Sequence, residues 1–236
     1  MNPIEYLKHQ GFKVTSDPNL YQSKIFGLRN YSLNGINYDN YCQGYHRAYD
    51  LVKSDGAKIP AVMSGVVVAG TKVNGNFGTT VVIANKTLNR QVIYGHLKTN
   101  LEVKVGQKIT VGETIGFQGN TNYYNQPMAS HLHIQFQKYA YLKEHDFVCT
   151  GIDCKDLNVM KDNIKGIFVS SAEINKRTKM TKKSPSIGRV PIGFTEKFNR
   201  ITEKEGYYWL EVAKGKEKYY IAIGDNKNIW GKIKML

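Results

Sequence analysis

Ser130-His131-Leu132-His133-Ile134-Gln135-Phe136 decides how this chain is read. Successive side chains of a β-strand point to opposite faces. As a strand, the segment sends Leu132, Ile134 and Phe136 into apolar packing and presents His131 and His133 together on the other face. Two adjacent imidazoles held away from water without partners cost free energy. A divalent metal is the usual reason for such a pairing, because histidine is its commonest side-chain ligand.

Two further histidine motifs lie upstream. His46-Arg47-Ala48-Tyr49-Asp50 sets an imidazole and a carboxylate four positions apart, and Tyr94-Gly95-His96-Leu97 places another histidine in strand-like sequence. Catalytic zinc sites take three protein ligands and keep a position for water, whereas structural sites are closed by four. His46, Asp50 and one member of the His131/His133 pair supply such a triad, and the spacing leaves open which member it is. The other member and His96 then serve as general base and as stabiliser of a tetrahedral oxyanion. No serine or cysteine nucleophile is required. His9 and His145 fall outside these motifs and read as surface residues.

Composition narrows the class. With 236 residues, 41% of them hydrophobic and 11% aromatic, the chain can bury one large core or two modest ones. A formal charge of +14 implies a polyanionic partner or surroundings, and teichoic-acid-bearing cell walls, nucleic acid and anionic lipid all qualify. The excess is concentrated late, with 18 basic and 9 acidic residues from Lys155 onward. No basic run interleaved with aromatics marks a nucleic-acid groove, so nucleic acid is set aside. The N-terminal Met1-Asn2-Pro3-Ile4-Glu5-Tyr6-Leu7-Lys8-His9 lacks an apolar signal region, and no apolar run approaches the roughly 18 residues of a membrane span. A protein without a signal peptide or membrane partner is the expectation. Cys42, Cys149 and Cys154 make neither a disulfide framework nor a zinc knuckle; Cys149 and Cys154 are near enough to pair, or their spacing is incidental.

Asn2-Pro3-Ile4-Glu5 reads as a capped helix start, with Gly11 as its stop. Residues 12–45 read as loop with short strands. Beyond them come β segments bounded by Gly, Asn or Pro: Ile59–Val62, Gly65–Ala69, Thr79–Ala84, Arg90–Tyr94, Gln107–Val111, Thr114–Gln118 and the histidine strand. Their spacing predicts an all-β protein built on an antiparallel sheet. The polar and aromatic loop of residues 119–127, with Asn120, runs straight into the histidine strand and is placed to hold substrate; Tyr49, Tyr123 and Tyr124 either line the substrate groove or take core and ordinary loop positions. A second β-rich unit begins near Ile167, and its aromatic segments Glu205–Val212, Lys218–Ile223 and Ile229–Lys234 fit a small barrel. Asp39, Asp55 and Asp153 show no spacing suited to paired acids and read as turn residues.

The ordered motifs resemble the lysostaphin/LytM-type zinc endopeptidases, which cut peptidoglycan peptides. The family pattern of H-x-x-x-D, a strand ending in H-L, and H-x-H stands here as His46…Asp50, His96-Leu97 and His131-Leu132-His133. Framework segments follow in order: Phe26-Gly27-Leu28-Arg29, Ile59 to Val67, Val105-Gly106-Gln107-Lys108-Ile109, Gly112-Glu113-Thr114-Ile115-Gly116 and Gly119-Asn120-Thr121, so the likeness covers residues 24–138. Two positions depart from the family: Arg47-Ala48-Tyr49 inside the first motif, and Ser130 where glycine is usual. Neither removes a ligand.

The resemblance implies that His46, Asp50 and His133 hold Zn2+, with His131 as base and His96 beside it. The C-terminal segment resembles the SH3-like wall-binding domains of phage and staphylococcal lysins through Gly206-Tyr207-Tyr208-Trp209-Leu210 and Ile229-Trp230-Gly231-Lys232-Ile233. It implies that Tyr208, Trp209 and Trp230 contact the wall, unless they fill the barrel's core. The expected organisation is a peptidase domain at 1–145, a linker at 146–165 and an SH3-like barrel at 166–236. The expected function is a monomeric phage or prophage endolysin cutting the stem or cross-bridge of Gram-positive peptidoglycan. It would be made in the host cytoplasm and reach the wall through a holin or the virion. The alternatives are a bacterial autolysin or bacteriocin of the same chemistry, and a non-catalytic wall-binding protein on a degenerate peptidase fold.

Overall fold

A computed structural model describes residues 1–15, 27–28, 32–33, 35–37, 40–71, 77–122, 127–139, 151–152, 154, 157–159, 166–198, 200–225 and 228–235. Tyr123, Tyr124, Phe26, Arg29, Asp39, His145, Cys149 and Asp153 lie outside them.

The chain opens with helix α1 (Pro3–His9), capped as its sequence predicts: Asn2 Oδ1 accepts from the Glu5 backbone N–H at 2.9 Å, and Gly11 follows at φ +89°. Short strands come next: β1 (Lys13–Val14), β2 (Gly27–Leu28), β3 (Ser32–Leu33) and β4 (Ile36–Asn37). They lead to β5 (Tyr45–His46), β6 (Tyr49–Val52) and β7 (Lys58–Pro60). The longest strands of this part are β8 (Gly65–Thr71), β9 (Thr79–Asn85) and β10 (Arg90–Leu97). β11 (Lys108–Ile109), β12 (Thr114–Phe117) and β13 (Leu132–Lys138) complete it.

Seven strands form one antiparallel sheet in the order β1-β6-β13-β10-β9-β8-β11, and β12 pairs with β7 beside it. Val67, Val81, Ile83, Val92, Tyr94, Leu132, Ile134 and Phe136 are all fully buried and share one core. Burial of such a side chain contributes about 1.5–3 kcal/mol, so this apolar face fixes the register. The opposite face of β13 carries His133, Gln135 and Gln137. Tyr94 ties the two layers together by accepting the Val62 backbone N–H at 2.9 Å. The expected Gln107–Val111 strand contracts to β11 because Gly106 and Gly112 on either side take positive φ.

The remaining strands are β14 (Gly166–Ser170), β15 (Ile174–Arg177), β16 (Ser186–Val190), β17 (Thr195–Phe198), β18 (Thr202–Lys204), β19 (Tyr207–Lys214), β20 (Glu217–Asp225) and β21 (Gly231–Met235). They make a three-stranded sheet, β17-β14-β21, and a five-stranded one, β16-β15-β20-β19-β18. Every named pairing is antiparallel, so the described residues are nearly all-β, with helix α1 and a turn of 3-10 helix at Asn40–Cys42. Among the described residues no strand from 13–138 pairs with one from 166–235, yet buried apolar side chains form a continuous cluster reaching from Leu7 and Phe136 to Phe168 and Ile221.

Cys42 is disulfide-bonded and Cys154 is buried, while Cys149 lies outside the described residues. No described helix is long and apolar enough to cross a membrane.

Candidate metal centre

Cross-strand pairing builds the centre. In the β6–β13 ladder Asp50 lies directly opposite His133, so their side chains project from the same face as nearest neighbours. His133 Nδ1 stands 3.1 Å from Asp50 Oδ1. His46, at the end of β5, directs Nε2 to within 3.4 Å of the other carboxylate oxygen, Oδ2. One ligand atom from each of His46, Asp50 and His133 falls within 4.8 Å of the others.

Alternation explains which neighbours stay out. Tyr49 and Leu51 flank Asp50 and point to the core, where Tyr49 meets Phe136 edge-on at 6.4 Å between ring centroids. Tyr49 is therefore a packing residue. Arg47 stacks its guanidinium on Tyr45 at 4.3 Å.

Simple alternation would turn His96 away, because Gly95 is the residue paired with His133. A register shift between Tyr94 and Leu97, with His96 at φ +59°, breaks the alternation and brings His96 into the cluster. Its ring centroid lies 4.7 Å from that of His131 and 5.6 Å from that of His133. A left-handed non-glycine residue costs of order 1 kcal/mol, which the surroundings must over-determine. They do so through Thr121. Its carbonyl accepts from His96 Nδ1 at 2.8 Å, and its hydroxyl donates to Leu97 O at 2.7 Å and accepts from the Thr79 N–H at 2.8 Å. Gly78 permits this approach: a Cβ there would lie 2.1 Å from Thr121 O.

His131 precedes β13 and is held by a bridge to Gly119, its N–H donating to Gly119 O at 3.0 Å. Its Nδ1 lies 2.8 Å from Ala129 O. A carbonyl can only accept, so in the neutral rings of both His131 and His96 the proton sits on Nδ1 and the Nε2 lone pair is left free. His131 Nε2 stands 3.9 Å from Asp50 Oδ1, facing the triad.

The donor set suits zinc: two imidazoles and one carboxylate, the three-ligand number of a catalytic site. Metal ligands must also be deprotonated. Burial opposes the Asp50 charge, but His46 and His133 outweigh it and hold the carboxyl well below its usual range. Burial likewise lowers His133, and burial with His131 and His133 alongside pushes His96 down to about 3. His133 Nε2 is buried with no hydrogen-bond partner among the described residues, beside the Phe77 ring at 4.6 Å between centroids. Such an orphan costs about 1–3 kcal/mol.

All five motif residues thus converge. Of the other expected contacts, Asn120 spans its own loop, donating from Nδ2 to Met128 O at 3.3 Å. In the C-terminal sheets Tyr208 and Trp209 are both 0% exposed, so they are core residues and not contact residues. A bulge between them lets two successive side chains be covered. Trp230 is half-buried and packs against Tyr207 at 6.1 Å between ring centroids. Phe77 and Thr121 are site neighbours that motif reading passed over. For Thr121 the signal was its place in Gly119-Asn120-Thr121; for Phe77 there was none beyond the adjoining Gly78.

Residues 44–146 match Peptidase family M23. The endolysin 2638A of Staphylococcus phage 2638A is 39% identical over 224 residues, spanning 89% of this chain and 45% of its own length. The glycyl-glycine endopeptidase ALE-1 of Staphylococcus capitis is 25% identical over 240 residues, 89% of this chain and 63% of its own. Among solved structures, lysostaphin from Staphylococcus simulans superposes with a TM-score of 0.43 at 20% identity, covering 89% of this chain and 93% of that one. The chain spans between 45% and 63% of the length of the two curated relatives described.

Proposed function

We propose, for a chain whose residues 44–146 match Peptidase family M23, a zinc-dependent endopeptidase that hydrolyses peptide bonds in the stem or cross-bridge of Gram-positive peptidoglycan. The observation that carries the reading is the convergence of His46, Asp50 and His133, with the free Nε2 of His131 facing them. Zinc, held by those three residues, would acidify a water and polarise the scissile carbonyl.

This chain's residues do the rest. Asp50 balances the cation's charge and orients both ligand imidazoles. His131 Nε2 accepts the proton of the attacking water, since its Nδ1–H is committed to Ala129 O. His96 shares that tautomer through Thr121 O, so it donates to the developing oxyanion only in its protonated form. Burial, with His131 and His133 alongside, keeps His96 neutral in the resting site.

The wall-directed reading extends to the whole chain. Residues 166–236 form an SH3-like barrel that holds residues 1–145 to the wall, with 146–165 between them, and the +14 charge favours teichoic acids as an additional contact. The similarity to a phage endolysin supports a phage or prophage product. Such a product is made in the host cytoplasm, reaches the wall on release and acts as a monomer. Purified protein incubated with muropeptides of defined cross-bridge, with the fragments read by mass spectrometry, tests the activity and names the bond. Unaltered muropeptides with zinc-loaded protein would refute it.

A further inference from the structure

Ser130, one of the positions that depart from the family pattern, carries three hydrogen bonds next to the cluster. Its Oγ donates to Asp55 Oδ1 at 2.8 Å. Gln118, fully buried, donates from Nε2 to both Ser130 Oγ at 3.1 Å and Ser130 O at 3.2 Å. Gln118 is itself fixed, its Oε1 accepting the Lys53 N–H at 2.8 Å and its backbone pairing with Gly56 and Ala57. Asp55, in the turn after β6, is held at its second oxygen by Lys98 Nζ at 2.7 Å, and Lys98 follows directly on β10.

We infer that Asp55, Ser130 and Gln118 form a clamp that positions His131, acting through the Ala129–Ser130–His131 backbone without contact to the reacting atoms. The inference rests on the proposed role of His131 as base. Its logic is geometric. His131 keeps Nε2 free only while Nδ1–H meets Ala129 O, and the direction of that carbonyl is set by the peptide joining Ala129 to Ser130. Three hydrogen bonds on Ser130, from Gln118 and to Asp55, fix that peptide. Asp55 is thereby a positioning residue, where its sequence context read only as a turn. The arrangement also gives Ser130 a purpose that glycine cannot serve, since glycine offers the Gln118 amide its carbonyl alone.

The test uses the full chain with Asp55→Ala, Ser130→Ala and Ser130→Thr. Imidazole 15N–1H correlation spectra, on zinc-free and zinc-loaded protein, read the His131 tautomer independently of activity. The clamp requires a single Nδ1–H tautomer in the parent and in Ser130→Thr, and a mixture in Asp55→Ala and Ser130→Ala. On a defined muropeptide the two alanine variants lose about tenfold in kcat, the scale of a supporting hydrogen bond behind an active group, at parent KM and zinc content. The Asp55→Ala/Ser130→Ala double variant loses no more than the larger single loss, because one device is being removed twice. An unmixed tautomer with parent kcat in both alanine variants overturns the clamp, as does a KM rise at unchanged kcat, which would mark direct substrate contact. If His131→Ala keeps the parent rate, the reading of His131 as base fails instead, and the tautomer spectra still decide whether the clamp exists.

Discussion

His133 and Asp50 face each other across one rung of the β6–β13 ladder, Nδ1 to Oδ1 at 3.1 Å. Two of the three proposed metal ligands are therefore placed by strand register, and His46 reaches the site from a short flanking strand. A slip of one residue would send His133 into the core and Leu132 to the ligands.

Core and site can be separated by substitution along β13. Leu132 is fully buried on the face opposite the ligands. Leu132→Ala should cost about 2–5 kcal/mol in denaturant unfolding while zinc stoichiometry at low temperature stays at the parent value. Loss of zinc from the folded variant would show that the two faces are not independent.

The tight approach at Gly78 gives a second expectation. With φ +59° and a would-be Cβ 2.1 Å from Thr121 O, Gly78→Ala must push Thr121 away from His96. A stability loss of about 2–4 kcal/mol is expected from backbone strain and displacement together. A change under about 0.5 kcal/mol would mean that the loop yields freely.

Acid should destabilise the zinc-free protein. His96 is held at about 3 in the fold against 6.5 for the ordinary residue, with burial the main cause, and His133 is lowered for the same reason. As pH falls below about 6.5 the unfolded chain takes up protons that the folded one refuses, so stability is full above that value and is lost progressively toward pH 3. Asp50, depressed in the fold, adds to the loss at the acid end. Thermal unfolding should fall by about 2 kcal/mol in stability between pH 7 and pH 4.5, and His96→Asn should flatten the slope. Equal slopes in parent and variant would remove His96 from the account.

Wall attachment predicts a split between binding and turnover. Trp230→Ala removes a half-buried ring that packs on Tyr207 in the C-terminal sheets. Cell-wall pull-down should weaken while cleavage of a soluble muropeptide keeps its parent rate. Equal loss of both would argue against a separate binding role.

Much of this was legible in residues 130–136. Apolar and polar positions alternate there, and the fold buries Leu132, Ile134 and Phe136 and gathers the histidines as the period demands. The helix start at Asn2 was equally plain, because a cap is local chemistry. Departures arose where a strand breaks its own period. The bulge at His96 depends on Thr121, 25 positions away, and the burial of both Tyr208 and Trp209 depends on another bulge. Tyr49, which the motif left between groove and core, follows alternation into the core. Asp55 looked like a turn residue because its partners, Lys98 and Ser130, are remote in sequence.

The most direct test is zinc content after exhaustive dialysis, measured alongside muropeptide cleavage in the parent, His133→Ala and His131→Ala proteins. About one zinc per chain in the parent and in His131→Ala, none in His133→Ala, and no cleavage by either variant are the expected results. Retention of zinc by His133→Ala, or parent-rate cleavage by His131→Ala, would contradict the division of labour between the residues that hold the metal and the residue that moves the proton.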